Sequence, residues 1–132
     1  GAVGSTMTLI DRGPKQALHE ILPQDVKQRS PLYGNEIVLS YEDAVTAIGL
    51  ASAHQIAVLG FEAGEVKASG FQVVDYNGYD LKFSGDWHTF VLANNAEATR
   101  WIREHRYGQG FGYIVTSTSE KEFAKLSQRN QQ

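Results

Sequence analysis

The residues best able to move protons near neutral pH or to hold a metal are four histidines, His19, His54, His88 and His105. None belongs to a His-Glu-x-x-His pair or another close ligand spacing. Asp86-x-His88 and Glu104-His105 place a carboxylate beside an imidazole, but neighbouring residues on a helix point in different directions, so neither is a ready general-base pair. Surface or capping roles fit all four. The absence of cysteine removes thiolate nucleophiles, thiolate zinc sites and disulfides. No Gly-x-Ser-x-Gly occurs; Ser69-Gly70 and Ser84-Gly85 fit turns, and Ser117, Thr118 and Ser119 stand where a helix cap is required. The chain therefore reads as carrying no catalytic set and as needing neither metal nor cofactor.

Two clusters remain. In Tyr107-Gly-Gln-Gly-Phe-Gly-Tyr113 glycines alternate with aromatics. A dinucleotide cradle needs such glycines after a strand and opening a helix. Here a helix comes first and a strand second, which fits a helix C-cap leading into a turn. Tyr107, Phe111 and Tyr113 can still form a binding rim, because close backbone approach and aromatic tips suit protein recognition. The alternative is a small ligand-binding domain or enzyme built on residues 107–113 with His105 and Arg106. The second cluster follows from Asn77-Gly78, which lies between two β-rich runs and predicts a two-residue hairpin turn, with Phe71–Tyr76 pairing Tyr79–Phe83. That register sets Tyr76 opposite Tyr79 and Asp75 opposite Asp80. Like charges facing each other across strands are unfavourable by a few tenths to about 1 kcal/mol. Exposure, neutralisation by Lys82 or a cationic partner would each relieve them. With a cationic partner the hairpin becomes an interaction site, with Tyr76 and Tyr79 as anchors.

These groups need a scaffold. Apolar spacing predicts a helix from Gly13-Pro14 to Pro23, then an irregular connection to Asn35 and a strand at Glu36–Leu39. Ser40 with Asp43 resembles a capping box for a helix to about His54, in which Gly49 suggests close packing. Ile56–Phe61 reads as a buried strand continuing weakly to Ala68, with Gly60 and Gly64 marking bulges. Asp86 caps a helix through Trp87, Val91, Ala98, Trp101 and Ile102, with Asn94-Asn95 as a candidate break and Gly108 as a candidate C-terminal cap; both tryptophans read as core. Phe111–Thr116 is a further strand, and Ser119 with Glu122 caps a last helix with Phe123 and Leu126 inward. The expected fold is α+β: a mixed or antiparallel sheet of about five strands, including the Asn-Gly hairpin, packed on three to four helices.

The 132 residues fit one domain, read as 7–127, with 1–6 as an expression scar before Met7 and 128–132 as a frayed tail. No apolar run approaches the ~20 residues of a membrane span, and with no visible signal sequence the expected location is cytoplasmic. Net charge is only −3, but its distribution is uneven. Eight acids face two lysines between Glu36 and Asp86, whereas six bases face three acids beyond Thr99. An acidic middle repels nucleic acid and steers a basic partner inward.

Ser40-Tyr-Glu-Asp-Ala-Val-Thr-Ala-Ile-Gly-Leu50 followed by Ile56-Ala-Val-Leu-Gly-Phe-Glu62 resembles small bacterial immunity proteins of polymorphic toxin systems, and among them the immunity protein 40 family. The later hairpin, Asp86-Trp87 and the Trp101-Ile102 helix fit the same outline, which covers Glu36 to Ile102; Phe61-Glu62 stands where Gly-Asp is expected. The resemblance implies a non-catalytic protein that occludes the active site of a cognate toxin domain with a basic cleft. Glu62, Glu65, Asp75, Tyr76, Tyr79, Asp80 and Asp86 are the residues expected to meet it. A self-associating adaptor is a third possibility.

Overall fold

A computed structural model of the chain describes residues 17–78, 83 and 85–130, with the backbone alone over 126–130. Among these residues the protein is α+β, with five helices and two antiparallel sheets of three and two strands. The single sheet of about five strands is thus corrected, and there is one helix more than the three to four expected.

Helix α1 (Ala17–Ile21) ends ahead of Pro23, as expected, but Gln24–Arg29 then forms a second short helix, α2, where an irregular connection was predicted. Pro23 is its N-cap, a place where a missing N–H costs nothing. Strands β1 (Leu32–Tyr33) and β2 (Glu36–Ile37) form the small sheet across Gly34, whose φ is +65°. The predicted strand at Glu36–Leu39 therefore divides: Glu36 and Ile37 pair with β1, and Leu39 bridges to Tyr113 of the main sheet. Helix α3 (Tyr41–Ala53) is capped by Ser40 Oγ, which accepts the Asp43 amide at 3.1 Å. The capping box is one-sided, because the Asp43 carboxylate turns to Arg29, with Nε–Oδ2 at 2.9 Å and Nη2–Oδ1 at 2.7 Å. Gly49 packs against nothing; a Cβ there meets no atom within 4 Å.

The main sheet has the order β4-β3-β5, with β3 (Ala57–Lys67) central between β4 (Gly70–Gly78) and β5 (Phe111–Thr118). The hairpin is the main correction. Strands β3 and β4 are joined by the tight turn at Ala68-Ser69, and Asn77 and Gly78 lie within β4, paired with Phe61 and Gly60. Neither has the positive φ that a type I′ turn demands. Local turn chemistry gives way to a longer strand pairing. The expected partners Tyr79 and Asp80 lie outside the described residues, as do Leu81 and Lys82. The bulges are as expected: the register shifts between Val58 and Gly60 and between Ala63 and Gly64. Glycine is required at Gly60 and Gly64, where a Cβ would lie 2.4 Å from Asn77 O and 2.5 Å from Gln72 O.

Helix α4 (Trp87–Glu104) is capped by Asp86, which accepts from the Thr89 amide at 2.8 Å. It runs unbroken through Asn94-Asn95. Asn95 is 1% exposed and fastens the helix to β3, accepting from Val58 N and donating to Ile56 O and Ser52 Oγ at 2.9–3.0 Å. Asn94 donates to Val58 O at 2.9 Å. The helix ends at His105 rather than at a Gly108 cap, and the positive φ of the following loop falls on Gly110. Helix α5 (Glu120–Asn130) is capped by Ser119, whose Oγ accepts the Glu122 amide at 3.2 Å.

The core lies between α1, α3, α4 and one face of the sheet, where Leu18, Ile48, Phe61, Ile102 and Tyr113 are almost fully buried. Trp87, Val91 and Ala57 form a second cluster with Phe83, Phe90 and Phe123 against it.

Candidate functional site

Register decides which of the expected residues meet. Asp75 is opposite Ala63, which is opposite Tyr113, so all three share the sheet face turned toward α4. On that face the Asp75 carboxylate reaches the end of α4 and the loop after it. Tyr107 Oη donates to Asp75 Oδ2 at 2.9 Å, and His105 Nε2 lies 4.0 Å from the same oxygen. The other oxygen accepts the Tyr76 amide at 2.8 Å. Asp75 and His105 are each about one-third exposed. The hydrogen bond that restrains Asp75 also holds the Tyr107 phenol above its ordinary ionisation range and is the chief cause of that elevation.

His105 is held from beneath. Its Nδ1 is 2.8 Å from Trp101 O, and because a carbonyl can only accept, Nδ1 is the donor there and Nε2 is the nitrogen turned to Asp75. Its ring stacks on Trp101 at 4.2 Å, and Trp101 stacks on Phe61 at 5.0 Å. A column of three rings thus rises from the core to the surface. Tyr107 stacks on Phe111 at 5.2 Å. Tyr113 does not join this rim: it is fully buried, donating to His105 O at 2.7 Å and accepting the Tyr107 amide at 3.1 Å. It braces the loop instead, and burial pushes its phenol ionisation upward.

The remaining expected residues are spread out. Tyr76 is 69% exposed and, paired with Glu62, lies on the opposite sheet face from Asp75. Glu62 is half-buried, and burial raises its pKa. Glu65 is half-buried, 3.7 Å from Lys67. Asp86 is occupied as the α4 cap, and the Thr89 amide holds its carboxyl below the usual range. Arg106 leaves the cluster for α3, 3.0 Å from Glu42 and over the Tyr41 ring. Of the other histidines, His19 is buried, His54 ends α3 and His88 is exposed in the first turn of α4.

Sequence reasoning missed two features. Glu36 is 7% exposed, and burial, then the charge of Glu62, pushes its pKa up to about 7. The second is an open cleft of about 230 Å³ beside the glycine loop, lined by Pro31, Val38, Leu39, Val66, Gly110 and Phe111, with the Arg29–Asp43 pair at its rim. Burial of Asp43 is offset by Arg29, whose hydrogen bonds keep the Asp43 carboxyl below its ordinary value.

No protein-family model, curated protein or solved structure matches this chain. The site is therefore judged on its own geometry. Among the described residues no three His, Cys, Asp or Glu side chains gather as a metal site, and no helix is long and apolar enough to cross a membrane. What the cluster offers is aromatic surface, one shared carboxylate and an imidazole, all fixed in place by the fold.

Proposed function

We propose that this chain is a protein-recognition domain, and that it serves as an immunity protein that binds a cognate bacterial toxin domain and occludes its active site. The observation that carries this reading is the convergence of Asp75, His105 and Tyr107 from strand, helix end and loop onto a half-exposed surface. Such a surface has the composition of an interaction hot spot: rigid aromatics around a restrained charge. Strand β4 exposes further apolar and aromatic side chains, Val73 at 41%, Val74 at 50% and, on the opposite sheet face from Asp75, Tyr76 at 69%. The Asp75 carboxylate gives the surface the sign suited to a basic cleft. The resemblance of Ser40–Leu50 and Ile56–Glu62 to immunity proteins supplies the kind of partner.

The test is co-purification with the product of the neighbouring gene. A one-to-one complex whose association slows with added salt, and which Asp75→Lys weakens at least tenfold, supports the reading. No complex at low salt removes it.

The cleft keeps a second reading open, that of a small-ligand site on the glycine loop. Its volume of about 230 Å³ is below the roughly 300–1,000 Å³ of typical cofactor and ligand pockets, which disfavours a nucleotide. A saturable thermal shift with a nucleotide would reverse that preference.

A further inference from the structure

We infer that Glu36, Glu62 and Tyr76 make a receptor site for an arginine side chain of the bound partner, its guanidinium meeting the two carboxyls and lying against the tyrosine ring. This rests on the protein-recognition reading above and names a group that the partner brings.

Strand alternation puts the three residues on one face. Phe61 stacks on Trp101 and Ala63 belongs to the core, so Glu62 between them turns to the other face of the sheet. Tyr76 is directly opposite Glu62, where side chains of paired strands are neighbours, and it is 69% exposed. Glu36 reaches the same face from the small sheet. Ile37 and Leu39 enter the core, whereas Val38 lies over Gly112, at which a Cβ would be 2.4 Å from Val38 Cγ1. Gly112 is opposite Gly64, two residues after Glu62, so Val38 and, two positions before it, Glu36 turn to the Glu62 side. Tyr33, the strand partner of Glu36, packs its ring on Phe71 at 6.1 Å, and Phe71 in turn covers Gly64. The small sheet thus folds over this face and buries Glu36 beneath it.

Charge says what the site receives. Glu36 is 7% exposed, yet among the described residues no donor or cation meets its carboxyl, and none meets that of Glu62. Acids elsewhere on the fold have partners: Glu65 has Lys67, Asp43 has Arg29 and Glu42 has Arg106. The two carboxyls are near enough for the charge of Glu62 to act on Glu36, and burial raises the pKa of both. A buried carboxylate is costly unless it is paired, and folds retain such groups chiefly where they serve function. A cation set between Glu36 and Glu62 relieves burial and repulsion together; an anionic or apolar group relieves neither. Arginine suits the place better than lysine, because its flat fork bonds two carboxyls at once and its face stacks on an aromatic ring. Half-buried Glu62 and exposed Tyr76 leave the way in open. Strand β4 is an edge of the sheet, so a partner laid along it meets Tyr76 on one face and Asp75 on the other.

The experiment is an NMR titration of the folded chain at pH 8, above the Glu36 value of about 7, following the carboxyl carbons of Glu36 and Glu62 and the Tyr76 ring. The probes are N-acetyl-arginine-N-methylamide, its uncharged isostere N-acetyl-citrulline-N-methylamide, the lysine counterpart and calcium chloride. The arginine probe should shift all three residues saturably, bind roughly two- to fivefold tighter than the lysine probe at low salt and weaken in high salt, while the citrulline probe leaves the three unmoved. Glu36→Gln and Glu62→Gln keep the side-chain shape, and each should weaken arginine binding by roughly three- to tenfold with the rest of the spectrum intact. Absence of saturable shifts with the arginine probe, equal binding of the citrulline or lysine probe, or saturation by calcium alone overturns the inference. If the neighbouring gene's product binds the Glu36→Gln, Glu62→Gln double variant as tightly as the parent, the arginine site falls and the immunity reading stands. If that product binds neither protein while the arginine probe behaves as described, the immunity reading falls and the site's preference stands.

Discussion

Replacing Glu36 by glutamine removes one buried charge and leaves the shape almost unchanged. Glu36 is 7% exposed, and among the described residues no donor meets its carboxyl. Burial, with the nearby charge of Glu62 second, raises its pKa from 4.5 to about 7. At about 1.4 kcal/mol per pH unit, holding the ionised form in this place costs the fold at most about 3.5 kcal/mol. The sign follows from the direction. The folded state binds this proton more tightly than the unfolded chain, so below about pH 4.5 there is no penalty, between 4.5 and about 7 stability falls, and above 7 the whole penalty is present. In Glu36→Gln that slope is missing. Urea unfolding followed by tryptophan fluorescence, at intervals from pH 4.5 to 8, should find the two proteins separating by about 2–3 kcal/mol in favour of the variant as pH rises. Any cost of burying the unpartnered amide is the same at every pH, so the separation between the ends of the range is the quantity that counts. Parallel curves would refute the reasoning, and so would a variant that loses ground with rising pH.

Three further outcomes can be measured on the same footing. Asn95→Ala should lower stability by about 2–4 kcal/mol in urea unfolding, because it strands the buried Val58 N–H and Ile56 C=O. Gly49→Ala should raise stability by up to about 1 kcal/mol in the same assay, since the position is helical, exposed and open. Asp75→Ala should return the Tyr107 phenol toward its ordinary ionisation, read by ultraviolet tyrosine titration, because the hydrogen bond to Asp75 is the main cause of its elevation.

The helices and central strand were legible because their signals are local. Ser40, Asp86 and Ser119 cap the helices they precede, and Gly60 and Gly64 fall at the bulges of β3. The Asn77-Gly78 hairpin was misread because a two-residue turn preference competes with the pairing of a nine-residue strand, and only the sheet decides between them. Asn95 was readable in principle: the spacing Val91, Asn95, Ala98, Ile102 keeps to one helix face, and all four are buried. Read as a break, it is instead the polar group the bulged strand needs. The cluster at Asp75 escaped as a unit because Tyr107 is 32 positions away in the chain; both residues were singled out, but for separate surfaces. Burial of Glu36 has no local signal at all, since glutamate is almost always a surface residue and nothing beside Ile37 marks this one out.

The paired asparagines in the middle of α4 bear on the proposed recognition surface. Their amides tie the helix to the main chain of β3 about ten residues, some 15 Å, before His105. Helix and strand cannot slide past one another without stranding those amides, and the ring column on Phe61 fixes the far end of the same helix. A docking surface carried on such a clamped lever arrives already ordered, so little conformational freedom is left to lose on contact. A complex formed there should gain its longevity from slow release rather than from any closing motion.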